Sequence, residues 1–191
     1  MRRDDMRAHL LVSAVRVLET EGASGFSVRA VTAAAGVNVA SVTTAFGGRG
    51  PLVDALFVRL MTPINAERHR RYRDLGDRPA VAAITRAFLE PLLAVDRADG
   101  SAVSALLQLL MTDPDLETMP VDRVLRDPGV ATFDRLLAEA LGDVADEERT
   151  TRVRLGVGTV VAAAALGEAP LTEVHLDRLV AFVAAGLAGE A

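Results

Sequence analysis

Residues 27–46 read SVRAVTAAAGVNVASVTTAF, and this stretch decides the fold. Ser27 is a residue type that caps a helix start, and a short helix is expected over Val28–Ala34. Ala35-Gly36-Val37 then makes a tight turn, with Gly36 where the chain needs positive φ. Asn38 caps a second short helix, Val39–Phe46, which Gly47-Gly48 break. Two short helices joined by a glycine turn make a helix-turn-helix. Val31, Ala35, Val37 and Val42 form its small core. Val39, Ala40, Thr43 and Thr44 lie on the other face of the second helix. A helix of that width fits the major groove of double-stranded DNA. Short apolar and hydroxyl side chains there suit thymine methyls more than bidentate guanine contacts.

Working outward, a first helix is expected from about Asp4 to Glu21. Its apolar residues Leu10, Leu11, Ala14, Val17 and Leu18 recur at three- and four-residue steps, and Gly22 ends it. A long fourth helix opens at Arg49-Gly50-Pro51, with Pro51 in its first turn, and Pro63 is expected to kink or end it. Further helices are expected near 79–95, 101–112, 130–141, 146–166 and 172–187, with no strand pattern. The class is all-α: a three-helix DNA-binding domain over 1–50, then a helical ligand-binding and dimerisation domain over 51–191.

The charge distribution agrees. Residues 1–50 hold six Arg against four acids, a net +2, and the remainder fifteen Arg against twenty-two acids, a net −7. A mildly basic head on an acidic body fits a DNA reader attached to something else. There is no Cys, and His9, His69 and His175 stand far apart, so no disulfide framework, metal site or cofactor is implied. Ser, His and Asp occur without a nucleophile elbow or phosphate loop, which points away from an enzyme. The most apolar run, Val157–Gly167, is about half the ~20 residues of a membrane span, and no signal peptide is evident. A cytoplasmic location is expected.

The longer stretch GASGFSVRAVTAAAGVNVASVTTAFGGRGPLVDAL, residues 22–56, resembles the N-terminal signature of TetR-family repressors. The resemblance rests on Gly22, Ser27-Val28-Arg29, Ala35-Gly36-Val37-Asn38, Phe46 and Leu52. It implies a homodimer, a palindromic operator and a small-molecule effector that releases the DNA. Carried onto this chain, the DNA-binding set is Ser27, Arg29, Asn38, Val39, Ala40, Thr43, Thr44 and Arg49. Two positions depart from the family. Thr43 stands where a phosphate-contacting Tyr is usual, and Arg49 where a Lys is usual, with Gly48 replacing a capping Ser or Asn. Arg49 keeps a cation for phosphate, whereas Thr43 loses reach.

Elsewhere the signals are weaker. Arg2, Arg3 and Arg7 fit either an N-terminal arm on DNA or a solvated terminus. The cluster RHRRYR, residues 68–73, reads as a solvated or interdomain face. Phe88, Leu92, Leu106, Leu110, Phe133, Leu137 and Thr159 are candidates for an apolar ligand pocket among the middle helices, with Gln108 and His175 as further polar handles. The dimer interface is expected on the last two helices, at Val157, Val161, Leu176, Leu179, Val180, Val183 and Leu187. The competing reading is a helical sensor dimer with attenuated DNA binding, suggested by Thr43, Gly48 and the net charge of −5.

Overall fold

The computed structural model describes residues 2–99, 102–113, 116, 124–166 and 173–189. Every regular element among them is a helix, nine in all. In chain order these are α1 (Arg3–Gly25), α2 (Val28–Ala35), α3 (Ala40–Phe46), α4 (Arg49–Arg73) and α5 (Val81–Asp99), followed by α6 (Ala102–Thr112), α7 (Pro128–Ala140), α8 (Asp146–Leu166) and α9 (Glu173–Ala188). Among the described residues no helix is long and apolar enough to cross a membrane.

The chain forms two compact units. The first takes in residues 1–63 and 99–117, the second 64–98 and 118–191. The boundary read from the sequence, at 50, falls in the first turn of α4. The first unit carries that helix on to Pro63 and also recruits α6.

In the first unit, α1 turns Leu10, Ala14, Val17 and Leu18 inward, all at most 1% exposed, with Leu11 half-buried at the edge of the stripe. Asp4 and Asp5 in its first turn suit the positive end of the helix dipole. Gly22 breaks the helical path at φ +66°, the stop expected from the sequence. Beyond it the chain makes one more short turn to Gly25. α1 packs on α2, α3 and α6. Leu52, Val53, Leu56 and Phe57 of α4 are buried in the same unit. Pro63 does not end α4, which runs on to Arg73.

In the second unit the core comes from α5, α7, α8 and α9. Asp127 caps α7, its carboxylate accepting from the Gly129 N–H at 2.9 Å, and Pro128 occupies the first turn. α8 and α9 pair closely because Gly156 has no side chain. A Cβ there would come 3.3 Å from Val183 Cγ1. Arg152 of α8 donates to the carbonyl of Leu187 at 3.1 Å, satisfying an orphan acceptor in the last turn of α9.

Candidate DNA-reading surface

The turn between α2 and α3 is built by backbone chemistry. Ser27 Oγ accepts from the Ala30 N–H at 3.1 Å and starts α2. Gly36 ends it at φ +66°, ψ 31°, and the Val37 N–H returns to the Thr32 carbonyl at 3.0 Å. Asn38 Oδ1 then accepts from both the N–H and the hydroxyl of Ser41, each at 3.0 Å. That is the capping role expected of Asn38. Gly47, at φ +92°, closes α3 through an N–H bond to the Thr43 carbonyl at 2.8 Å.

Two side chains from α1 pin this pair. Arg7 Nη1 donates to the Ala45 carbonyl at 2.7 Å, and its guanidinium lies 4.4 Å over the Phe46 ring. The His9 ring nitrogen Nε2 is hydrogen-bonded to the Ala35 carbonyl at 2.8 Å. Arg7 is therefore a clamp on α3, a role the sequence reading missed. A cation four residues into a frayed-looking helix gives no hint of which carbonyl it will meet.

With its inner face fixed by Val42, Ala45 and Phe46, α3 leaves Asn38, Val39, Ala40, Thr43 and Thr44 exposed on one side. Val39 is 50% exposed and presents its apolar side chain on that side. Ser27 and Arg29 are also exposed, at the start of α2. Of the three terminal arginines, Arg3 belongs to this side. With Met6, Asn38, Ala40, Ser41, Thr44 and Ala45 it lines a hollow of about 370 Å3. Arg2 pairs loosely with Asp5 at 3.5 Å.

Arg49 behaves differently from the other expected DNA contacts. Its Nη2 is paired with the Asp113 carboxylate, which is only 8% exposed, and its own side chain is 26% exposed. Among the described residues, Nη1 is buried with no hydrogen-bond partner. The guanidinium is thus turned into the first unit.

The residues expected to line a ligand pocket are divided between the two units. Phe88 and Phe133 stack at 4.4 Å with an interplanar angle of 19° and, with Leu92 and Leu137, are buried in the second unit. Leu106 and Leu110 are buried too, but belong to the first unit. Thr159 is half-buried and donates to the Leu155 carbonyl at 3.0 Å, on a face shared with Phe182 and Gly186. Of the other polar handles, Gln108 and His175 are exposed.

Beside the aromatic stack lies a cation from the run expected on a solvated or interdomain face. Arg68 is 1% exposed. Its Nε donates to the Phe88 carbonyl at 2.9 Å, Nη1 donates to Asn65 Oδ1 at 3.0 Å, and its guanidinium covers the Phe88 ring at 3.9 Å. Asp127 sits 3.9 Å away and is held in turn by the Asn65 amide at 2.8 Å. Burial lowers the Arg68 pKa to about 10, while Tyr72 and Asp127 oppose that fall. The rest of the RHRRYR run is more varied. Arg70 and Arg71 pair with Glu67, Arg71 also reaches Glu90 at 2.8 Å, and Tyr72 is buried.

Six of the seven residues expected at a dimer interface are already covered within the chain. Val157, Val161, Leu176, Val180, Val183 and Leu187 are at most 5% exposed, and Leu179 is half-buried. Their stripe packs α8 against α9. Among the described residues, the large apolar groups that face outward on the same helices are Leu155, Val174 and Phe182, at 67, 57 and 69% exposed. Leu155, Thr159, Phe182 and Gly186 line a hollow of about 380 Å3.

Two family models match the sequence. Residues 10–56 match the bacterial regulatory proteins of the tetR family, and residues 86–186 match the tetracyclin repressor-like C-terminal domain. Among solved structures, RolR in complex with the ligand resorcinol superposes with a TM-score of 0.69 at 15% identity, over 95% of this chain and 87% of that one. A transcriptional regulator from Rhodococcus sp. Rha1 gives 0.67 at 21% identity, over 97% of each chain. The multidrug binding protein EbrR, complexed with imidazole, gives 0.51 at 20% identity over 93% of each. At these identities the structural likeness establishes the fold. No curated protein matches by sequence.

Proposed function

Because this chain belongs to the tetR family of bacterial regulatory proteins, DNA-binding transcription regulators and not enzymes, we propose that it is a homodimeric repressor of a palindromic operator. The observation that carries the reading is α3. It is capped at both ends, clamped from behind by Arg7, and presents Asn38, Val39, Ala40, Thr43 and Thr44 outward. In a two-fold dimer, two such helices enter major grooves about one turn of DNA apart, ~34 Å. Ser27 and Arg29 flank them at the start of α2.

Dimerisation falls to the outward face of α8 and α9. Leu155, Val174 and Phe182 form an apolar surface that a second copy would cover, while the inward stripe holds each protomer's own helix pair together. An effector of small apolar or amphipathic character suits the second unit, where Phe88 and Phe133 offer stacked rings with Leu92 and Leu137 nearby. It releases DNA only by favouring a non-binding arrangement of the dimer over the binding one. RolR and EbrR were each solved with a small molecule bound, which supports this reading by analogy of fold.

The second reading is a sensor dimer with attenuated DNA binding. It is favoured by Thr43, which is too short to reach far along the backbone, and by the inward pairing of Arg49. A fluorescence anisotropy titration separates the two, using the duplex upstream of the protein's own gene and a random duplex at ~150 mM salt. Specific repression requires clearly tighter binding to the first. Equal binding to both leaves the sensor.

A further inference from the structure

Arg49 opens α4, and Asp113 follows the last residue of α6, its N–H bonded to the Leu109 carbonyl at 3.0 Å. A carboxylate at that end of a helix faces the negative pole of the dipole and needs a cation. Arg49 provides it. Both partners lie in the first unit, so the pair joins the start of α4 to the end of α6 inside one compact body. The pairing is imperfect as a structural device. Among the described residues it leaves Arg49 Nη1 buried without an acceptor, a costly state for a charged donor. A guanidinium whose Nη2 is on Asp113 and whose Nη1 is buried has little donor capacity left for a DNA phosphate.

We propose that Asp113 is an affinity-setting residue, which competes with the DNA backbone for Arg49 and holds the reader in a weakened state. This rests on the DNA-reading function proposed above. Phosphate and Asp113 compete for the same guanidinium. Any shift of the α6 end that withdraws Asp113 frees a cation beside the reading helix, and DNA binding favours that shift in return. Asp113 touches no DNA itself; it acts through Arg49.

The test is anisotropy binding of the full-length protein to a random-sequence duplex and to the duplex upstream of its gene, across a salt series. Asp113→Asn should tighten binding to both on the order of tenfold, because phosphate contacts carry no sequence information. Its salt dependence should steepen by about one phosphate contact, a change in log–log slope of about −0.9. Asp113→Glu, which keeps the charge and preserves the fold, should bind as the parent does. In an Arg49→Gln background, Asp113→Asn should give no gain. Unchanged or weaker binding by Asp113→Asn, or an equal gain with Arg49 already removed, would overturn the proposal. Failure of every variant to bind either duplex at low salt would overturn the DNA-reading function itself.

Discussion

Arg7, in the second turn of α1, donates to the carbonyl of Ala45 at 2.7 Å and so holds the far end of the reading helix. The same guanidinium covers Phe46. One side chain thus satisfies an orphan carbonyl in the last turn of α3 and shields its terminal aromatic ring. Arg7→Ala is expected to cost about 2 kcal/mol, from a charge-assisted hydrogen bond and a part-buried cation–π contact. Urea denaturation measures this. DNA affinity should fall in parallel while the oligomeric state is unchanged.

Gly36 tests the turn by a different route. Its φ is +66° and a Cβ there would meet nothing within 4 Å. Gly36→Ala therefore meets no clash and carries only the backbone penalty of the left-handed region, about 1–2 kcal/mol. A thermal melt showing no loss would mean that the turn relaxes to another conformation.

Arg68 is the largest of the fully buried side chains. Arg68→Ala leaves Asp127 without its guanidinium neighbour and opens space beside Phe88, and an expected cost of about 3–5 kcal/mol follows. Arg68→Lys should recover little of it, since a lysine ammonium cannot reproduce the planar fork that reaches Phe88 and Asn65 together. Chemical denaturation of the two variants makes the comparison.

On the outer face of α8 and α9, Phe182→Glu should convert a dimer into a monomer, read by light scattering after size exclusion. Val183→Ala, on the inward side, should instead lower stability by about 1–2 kcal/mol without changing the oligomeric state. Reversal of these outcomes would place the interface on the inward stripe.

The exposed side chains of α3 predict how bases are read. Val39 and Thr43 suit the C5 methyl of thymine. Replacing thymidine by deoxyuridine throughout a bound duplex should weaken binding several-fold, at about 0.8 kcal/mol for each methyl buried. Equal affinity for the two duplexes would exclude methyl readout.

What the sequence made legible was what neighbouring residues decide. Ser27, Gly36, Asn38 and Gly47 act on bonds within a few positions of themselves, so the reading helix and its caps could be placed before any tertiary contact was known. The roles of the arginines were not legible in the same way. Arg68, Arg70, Arg71 and Arg73 look alike in a charged run. Only the arrival of Phe88, Asn65 and Asp127 distinguishes the one that turns inward. Arg49 likewise takes its meaning from Asp113, far along the chain. The stripe from Leu176 to Leu187 was correctly read as apolar and helical. A period of three and four residues does not say whether the face it meets belongs to the same chain or to another.

The reading helix is held from behind and at its ends, by Arg7, Gly36, Asn38, Gly47 and the buried Val42, Ala45 and Phe46. Val39, Ala40, Thr43 and Thr44 carry little of that work. On the proposed reading, foldability and sequence preference therefore reside in separate residues. If those four side chains read the operator as proposed, substitutions there should retarget the protein without passing through an unstable intermediate, one outward side chain at a time.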